Sequence, residues 1–227
     1  MIPERKFSVV IVAGGKGLRA GGELPKQFQT LVDKPMLMHT IEAFYRFDYR
    51  MRIVIVLAQE NVSFWEKLCK KFLFDIPHDI AIGGDTRFQS VKNGLALISE
   101  EETVGIHDGA RPFVTQKTIS NCYNHSFESR CGVIPVIDEK NSVRIIEGES
   151  SRAIDRSTIK IVQTPQVFPA DVLKAAYQVP YRLEFTDDAT VAESYGIPIK
   201  LVEGDYINIK ITTPEDFNFA RYNLQKT

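Results

Sequence analysis

Nothing in this sequence could staple, anchor or chelate in an obvious way. Its three cysteines, Cys69, Cys122 and Cys131, form no CxxC pair and no metal-ligand spacing. An odd, scattered set fits a reducing compartment, where each thiol packs as a small apolar residue; the chain is therefore expected to be cytoplasmic. No apolar run is long enough to span a bilayer. The opening stretch MIPERKFSVVIVAGG is too short in its apolar part for a secretory signal and leads directly into glycines. An excess of either charge is also missing: 28 Lys and Arg stand against 29 Asp and Glu. That balance removes the general electrostatic attraction expected of a nucleic-acid or membrane-surface binder. Phosphate, if bound at all, must be met by a few local cations and backbone N–H groups. Internal repeats and low-complexity linkers are absent as well.

What is present is an alternation of β-branched apolar runs with amphipathic stretches. Phe7 to Val12, Ile53 to Leu57 and Val133 to Ile137 read as buried strands, with Asp79 to Ile82 as a shorter one. Pro35 to Phe47, Asn61 to Phe72 and Arg87 to Ile98 carry apolar residues at helical spacing, and Pro35 and Asn61 suit helix starts. Thr213 followed by Pro214, Glu215 and Asp216 is a helix start with cap, first-turn proline and acids in place. The pattern predicts a Rossmann-like α/β fold, a mostly parallel mixed sheet flanked by helices, in a single domain over 1–227. Residues 138–157 break the rhythm: they are polar, lack helical period and contain Gly148-Glu149-Ser150-Ser151. They are expected to form a protruding β-arm inserted in the domain, with a long surface loop as the alternative.

The strongest local signal follows the first strand: Ala13-Gly14-Gly15-Lys16-Gly17-Leu18-Arg19, then Pro25-Lys26-Gln27. Glycines let the backbone approach a ligand closely, and successive N–H groups in such a turn can cradle an anion. Arg19 and Lys26 add charge where polyphosphate oxygens would sit. A Walker A loop is excluded, because no GKS or GKT follows the spacer. Gly15-x-Gly17-x-x-Ala20 matches a dinucleotide fingerprint formally, but Gly21, Gly22 and Pro25 oppose a helix there, and the second strand ends at Leu57-Ala58-Gln59 without an acid.

The loop and the later motifs together resemble a known family. These motifs are Gly83-Gly84-Asp85-x-Arg87 with Ser90-Val91, His107-Asp108-Gly109-Ala110-Arg111-Pro112-Phe113, and Asp155-Arg156-Ser157. They continue with Gln163-Thr164-Pro165-Gln166, Thr186-Asp187-Asp188-Ala189, and Asn208-Ile209-Lys210-Ile211-Thr212-Thr213-Pro214. In this order, over nearly the whole chain, they resemble the 2-C-methyl-D-erythritol 4-phosphate cytidylyltransferases of non-mevalonate isoprenoid synthesis, which have the nucleotide-diphospho-sugar transferase type of fold.

The resemblance implies that CTP and a polyol phosphate are the substrates. Ala13, Gly14, Gly15, Gly17, Gly84, Asp85, Ser90 and Ala110 would bind the nucleotide. Arg19, Lys26 and Lys210 would act at the phosphates undergoing transfer. Asp108 would ligate Mg²⁺, with another divalent cation as an alternative. Arg156, Thr186, Thr212 and Ser142 would meet the acceptor. The arm would reach into a neighbouring subunit, giving a homodimer with shared sites. At the arm's start Ser142 stands for the family's threonine in one alignment, and Glu139 in the other, where a carboxylate would repel the acceptor's phosphate. A pentitol phosphate such as ribitol 5-phosphate is the alternative acceptor, and a non-catalytic nucleotide-binding protein the second alternative. His107 reads equally as a structural or a catalytic residue.

Overall fold

The computed structural model describes residues 5–15 and 24–225. In chain order the strands are β1 (Phe7–Val12), β2 (Thr30–Leu31), β3 (Lys34–Pro35), β4 (Arg52–Leu57), β5 (Asp79–Ile82), β6 (Thr103–Asp108), β7 (Gly132–Asp138), β8 (Val143–Glu147), β9 (Ser150–Ile154), β10 (Lys160–Val162), β11 (Gln166–Pro169) and β12 (Ile199–Glu203). The helices are α1 (Met36–Phe47), α2 (Val62–Phe72), α3 (Arg87–Leu95), α4 (Gln116–Ser129), α5 (Ala170–Ala176), α6 (Asp188–Ser194) and α7 (Pro214–Leu224).

Eight strands make the main sheet. β1 lies between β4 and β6, parallel to both, and β5 extends the β4 side in parallel. β11 runs antiparallel between β6 and β7, β10 continues along the same side of β7, and β12 pairs with the other side of β7 in parallel. The sheet is therefore mixed and mostly parallel, as the alternating pattern predicts. Side chains alternate across it. Val9, Ile11, Ile53 and Ile55 face a core built with α1, α2 and α4, while Val10, Val54, Val56 and Ile106 face one built with α3, α5 and α6. Burial on both faces explains the unbroken apolar runs. α7 docks Phe217 and Ala220 on Leu31, Met36 and Ile211.

Two helix starts differ from expectation in detail. Pro35 caps α1 from outside and belongs to β3, and the Asn61 side chain makes no capping bond to α2. Thr213 does cap α7, in a full capping box with Asp216. The segment around Lys210, residues 204–213, carries no strand. That segment is anchored by single bonds instead, such as Ile211 N–H to the Ala110 carbonyl (2.9 Å). Helix α4 carries little apolar signal because its buried face includes Thr118, Cys122, Tyr123 and Ser126 beside Ile119.

The polar stretch after β7 is a hairpin. β8 and β9 pair antiparallel around the two residues Gly148 and Glu149, with Gly148 at φ +62°. Glycine at the first central position is what a tight two-residue hairpin of this twist requires. The hairpin pairs with no other strand among the described residues. It leaves the sheet from the carboxyl end of β7, the same edge at which β1, β4, β5 and β6 end.

Close packing under β6 gives a test. The Tyr123 hydroxyl donates to the Ser8 carbonyl (2.6 Å) directly over Gly105. A Cβ at Gly105 would collide with that hydroxyl and lie 3.0 Å from the ring carbon that bears it. Gly105→Ala is expected to destabilise the fold by about 2–4 kcal/mol, from overpacking together with the displaced hydrogen bond. Denaturant unfolding measures it, with Tyr123→Phe, expected to cost about 1 kcal/mol, isolating the hydrogen bond.

Candidate active site

A cleft of about 720 Å³ opens at the carboxyl ends of β1, β4, β5 and β6. This is the edge at which open α/β sheets bind ligands. Strand register creates it: Val12 pairs with Asp108, so Ala13, Gly14 and Gly15 leave β1 directly beside that aspartate. Ala13 N–H donates to the Val56 carbonyl (2.9 Å), and Gly109 N–H to the Val12 carbonyl (2.9 Å). Gly17 and Arg19 lie outside the described residues.

Gln27 holds the start of the loop. Its buried amide donates from Nε2 to the carbonyls of Ala13 (2.7 Å) and Gly15 (3.3 Å), which leaves the loop N–H groups to other partners. Lys26, next to it, lines the cleft and donates from Nζ to the Ile211 carbonyl (3.0 Å). Lys26 is thereby tied to the residue after Lys210, although the two lie far apart in sequence.

Across the cleft, Gly84 and Asp85 form a second turn, backed by Ser90 in the first turns of α3. Gly83 N–H donates to the Leu57 carbonyl (2.8 Å), and Gly84 N–H to Ser90 Oγ (3.1 Å). Thr86 caps α3 by accepting from Gln89 N–H (3.0 Å). These bonds keep the turn in shape. A Cβ on Gly84 would lie 2.7 Å from that of Gln89, so the position requires glycine.

Asp108, the last residue of β6, is the electrostatic centre. Oδ2 accepts from Lys210 Nζ (3.1 Å) and Arg111 Nε (3.3 Å), and Oδ1 faces Arg87 Nε at 3.9 Å. Burial alone would raise this carboxyl's pKa; Lys210, Arg87 and Arg111 outweigh it and hold the group well below the usual carboxylate range. It is an anion at any physiological pH. Arg87 in turn forks onto the fully buried Asp188, with contacts of 3.0 and 2.7 Å.

His107 points the other way. Its Nε2 lies 3.1 Å from the Arg111 carbonyl, which can only accept, so Nε2 carries the proton. Nδ1 is then left to accept from the Thr164 hydroxyl (3.0 Å), whose oxygen accepts from Asp108 N–H (3.1 Å). A neutral imidazole satisfies the whole chain, and burial pushes its pKa down to about 4. His107 thus has a structural role: it fixes the backbone that carries Asp108. Asn208, fully buried, donates to the Thr164 carbonyl (2.9 Å), and its own carbonyl accepts from Arg111 Nη1 (2.7 Å), so the Lys210 segment is tied to the same frame.

The structure thus brings Ala13, Gly14, Gly15, Lys26, Gly84, Asp85, Ser90, Asp108, Ala110 and Lys210 into one cleft. Other candidates stand apart. Thr212 spends its hydroxyl on Asp216 Oδ2 (3.0 Å) at the head of α7 and does not line the cleft. Thr186 is exposed, two residues before the buried Asp188. Arg156 and Ser142 are exposed at the base of the hairpin, where Arg156 Nη1 donates to the Lys140 carbonyl (2.6 Å). Glu139 accepts from Asn141 N–H (2.6 Å) in its own turn. Arg111, Gln27 and Thr164 were present in the motifs but had no role assigned. For Arg111 a signal existed, since a cation three residues after Asp108 can fold back on it.

Comparison with known proteins gives a consistent result. The profile of the IspD family, described as 2-C-methyl-D-erythritol 4-phosphate cytidylyltransferase, matches residues 7–226. The chain is similar to the 2-C-methyl-D-erythritol 4-phosphate cytidylyltransferase of Bacteroides fragilis, with 54% identity over 94% of this chain and 97% of that one. It is also similar to that of Phocaeicola vulgatus, with 51% identity over 93% and 96%. Among solved structures it resembles 4-diphosphocytidyl-2C-methyl-D-erythritol synthase from Anaerococcus prevotii, with TM-score 0.82, 27% identity, and 97% and 99% of the two chains covered.

The neutral state of His107 predicts a pH dependence. Its ordinary value is 6.5 and its folded value about 4. Above the upper value neither state binds the proton and stability is undiminished. Between the two the unfolded chain takes up a proton that the folded site refuses, costing about 3 kcal/mol by the lower end. Unfolding titrations from pH 7 to 4.5 should show a steeper loss for the native chain than for His107→Gln. Equal slopes would mean that the imidazole titrates normally.

Proposed function

The chain belongs to the 2-C-methyl-D-erythritol 4-phosphate cytidylyltransferase family, and we propose from that premise that the cleft around Asp108 is where its two substrates meet. The enzyme transfers the cytidylyl group of CTP to 2-C-methyl-D-erythritol 4-phosphate, giving CDP-methylerythritol and pyrophosphate. One observation carries the assignment of the site: an ionised aspartate, set beside a glycine loop by strand register and surrounded by Lys210, Arg111 and Arg87.

The roles follow from charge and position. Gly14, Gly15, Gly17 and Arg19 hold the triphosphate, and Lys26 and Lys210 flank the α-phosphate. Gly84, Asp85 and Ser90, with Ala13 and Ala110, hold cytosine and ribose. A phosphate oxygen of the acceptor attacks the α-phosphorus in line, and the bond to pyrophosphate breaks as the new P–O bond forms. No covalent enzyme intermediate is required, so the protein contributes position and charge. Two anions must come together, and the ammonium groups of Lys26 and Lys210 offset the repulsion and stabilise charge growing on the α-phosphate.

The reading implies Mg²⁺ or another divalent cation. No group of three His, Cys, Asp or Glu residues able to hold a metal occurs among the described residues. Asp108 offers one permanently ionised carboxylate at the cleft, which fits a cation that takes one or two protein carboxylates and completes its shell with substrate phosphates and water. When bound, such a cation neutralises phosphate charge.

Thr186 and Arg156 are assigned to the acceptor's phosphate, with Ser142 at the arm as a further contact. Thr212 is a weaker member, since its hydroxyl is committed to α7. Arg156 and Ser142 stand outside their own chain's cleft, on a hairpin that pairs with no other described strand and leaves Ile146 73% exposed. An isolated two-stranded hairpin is marginal in water. Both points favour a homodimer in which the arm of about 138–157 completes the neighbour's site, the remainder of 1–227 forming one catalytic domain. No described helix is long and apolar enough to cross a membrane.

Pyrophosphate release from CTP and Mg²⁺ is expected with 2-C-methyl-D-erythritol 4-phosphate and not with ribitol 5-phosphate; release only with the latter would move the acceptor assignment. Lys26→Ala and Lys210→Ala should each lower kcat by about 10²–10³-fold, as loss of a donor to developing charge does elsewhere. Near-normal turnover in either variant would remove its role. Asp108→Asn should raise the Mg²⁺ concentration for half-maximal rate; an unchanged metal titration would rule out ligation there.

A further inference from the structure

Arg87 belongs to neither substrate's proposed binding set, yet it touches the supports of both. It is the first residue of α3, immediately after the Gly84-Asp85-Thr86 turn and three residues before Ser90. Its guanidinium makes a two-pronged contact with Asp188, Nη1 to Oδ1 at 3.0 Å and Nη2 to Oδ2 at 2.7 Å. Its third nitrogen, Nε, faces Asp108 Oδ1 at 3.9 Å. Asp188 is fully buried, is the first residue of α6, and also accepts the Tyr177 hydroxyl (2.7 Å). One planar cation therefore joins the nucleotide turn, the central aspartate and the segment that carries Thr186.

The two sides of this bridge are not equally supported. The nucleotide turn has its own ties: Gly84 to Ser90, the Thr86 cap, and Asn93 Nδ2 to the Ile82 carbonyl (2.8 Å). Thr186 itself is exposed and makes an N–H bond to the Glu184 carbonyl (2.9 Å); its neighbours are tied to β11 and α6, Asp187 accepting from Gln166 Nε2 (2.8 Å) and capping α6 with Thr190. Without the fork, the tie from α3 to this segment would rest on ring packing such as the Phe88–Phe185 stack (5.8 Å), which fixes position less sharply than two charged hydrogen bonds. We infer that Arg87 is a positioning residue that sets the acceptor-side segment around Thr186 against the bound nucleotide, through Asp188. This rests on the reading of Thr186 as an acceptor contact.

Arg87→Lys is the informative change, because an ammonium keeps the charge but cannot reproduce the planar fork. The KM for 2-C-methyl-D-erythritol 4-phosphate should rise about tenfold or more, with kcat reduced, while the Kd for CTP measured without acceptor stays within about threefold. A residue that merely held the fold together would lower the melting temperature and the active fraction and leave the acceptor KM alone. Asp188→Asn keeps the shape, loses the charge, and should shift the same KM. Combining it with Arg87→Lys should give less than the product of the two effects. An acceptor KM within threefold of the native value in folded Arg87→Lys overturns the inference, and so does a CTP Kd that shifts in parallel. Thr186→Ala separates the premise: an unchanged acceptor KM there removes the acceptor role of Thr186, whatever Arg87→Lys does.

Discussion

The site depends on a carboxylate that is buried and still charged. Asp108 sits at the end of a fully buried strand, where desolvation favours the neutral acid. Three cations reverse that preference, and each comes from a different place: Arg111 from the following turn, Arg87 from α3, and Lys210 from the irregular segment before α7. The aspartate cannot be charged without them, and they would repel one another without it. Parts of the chain that share no strand or helix are thus drawn to one point. The cost of burying so many charges is not recovered as stability, since apolar side chains would fill the space more cheaply. It makes sense as preparation for a substrate that brings several negative charges of its own.

Around this cluster the protein spends neutral hydrogen bonds on geometry. His107, Thr164 and Asn208 carry no charge, and all are buried. They orient the backbone of Asp108 and of the Lys210 segment without altering the charge count. Gln27 does the same for the start of the glycine loop. Had His107 been protonated, a fourth cation would have sat against the back of the cluster, and the chain of bonds through Thr164 would have lost its acceptor. Burial keeps it neutral, and neutrality makes the chain of bonds consistent.

The legible part of the sequence was the part in which one residue type has few physical alternatives. Apolar β-branched runs buried on both faces could be little other than parallel strands, and Gly84 admits no side chain. Thr213-Pro214-Glu215-Asp216 could be read as a helix start because every element of the cap is local. The less legible features depend on distant partners. Helix α4 hides because its inward face uses Cys122, Tyr123 and Ser126, and Tyr123 is there to reach Ser8, 115 positions earlier. The place of Lys210 is set from outside its own segment: Ile211 is anchored in the α7 core, and the Thr212 hydroxyl is spent on Asp216 at the head of α7. Gln27 had no signal of its own, since a glutamine that clamps carbonyls 12 and 14 residues away looks like any polar residue in a turn.

The hairpin is governed by the opposite physics. Its two strands expose both faces, its turn is set by one glycine, and its cations are met at the surface, Arg152 by Glu147 (2.6 Å) and Arg144 by the Ser151 hydroxyl (2.8 Å). Such pairs add little stability. A segment so weakly held by its own chain has no internal reason for its length. Its base, however, leaves the sheet at the edge where the cleft lies, and Arg156 is placed there with its guanidinium on a backbone carbonyl rather than on a carboxylate. The Asn141 hydrogen bonds lower the Glu139 pKa and the Arg156 charge lies near enough to help, but no direct ion pair joins Glu139 and Arg156 among the described residues. The cluster at Asp108 and the arm thus differ physically: the first fixes charge inside a buried frame of hydrogen bonds, and the second presents charge on an exposed hairpin that pairs with no other described strand.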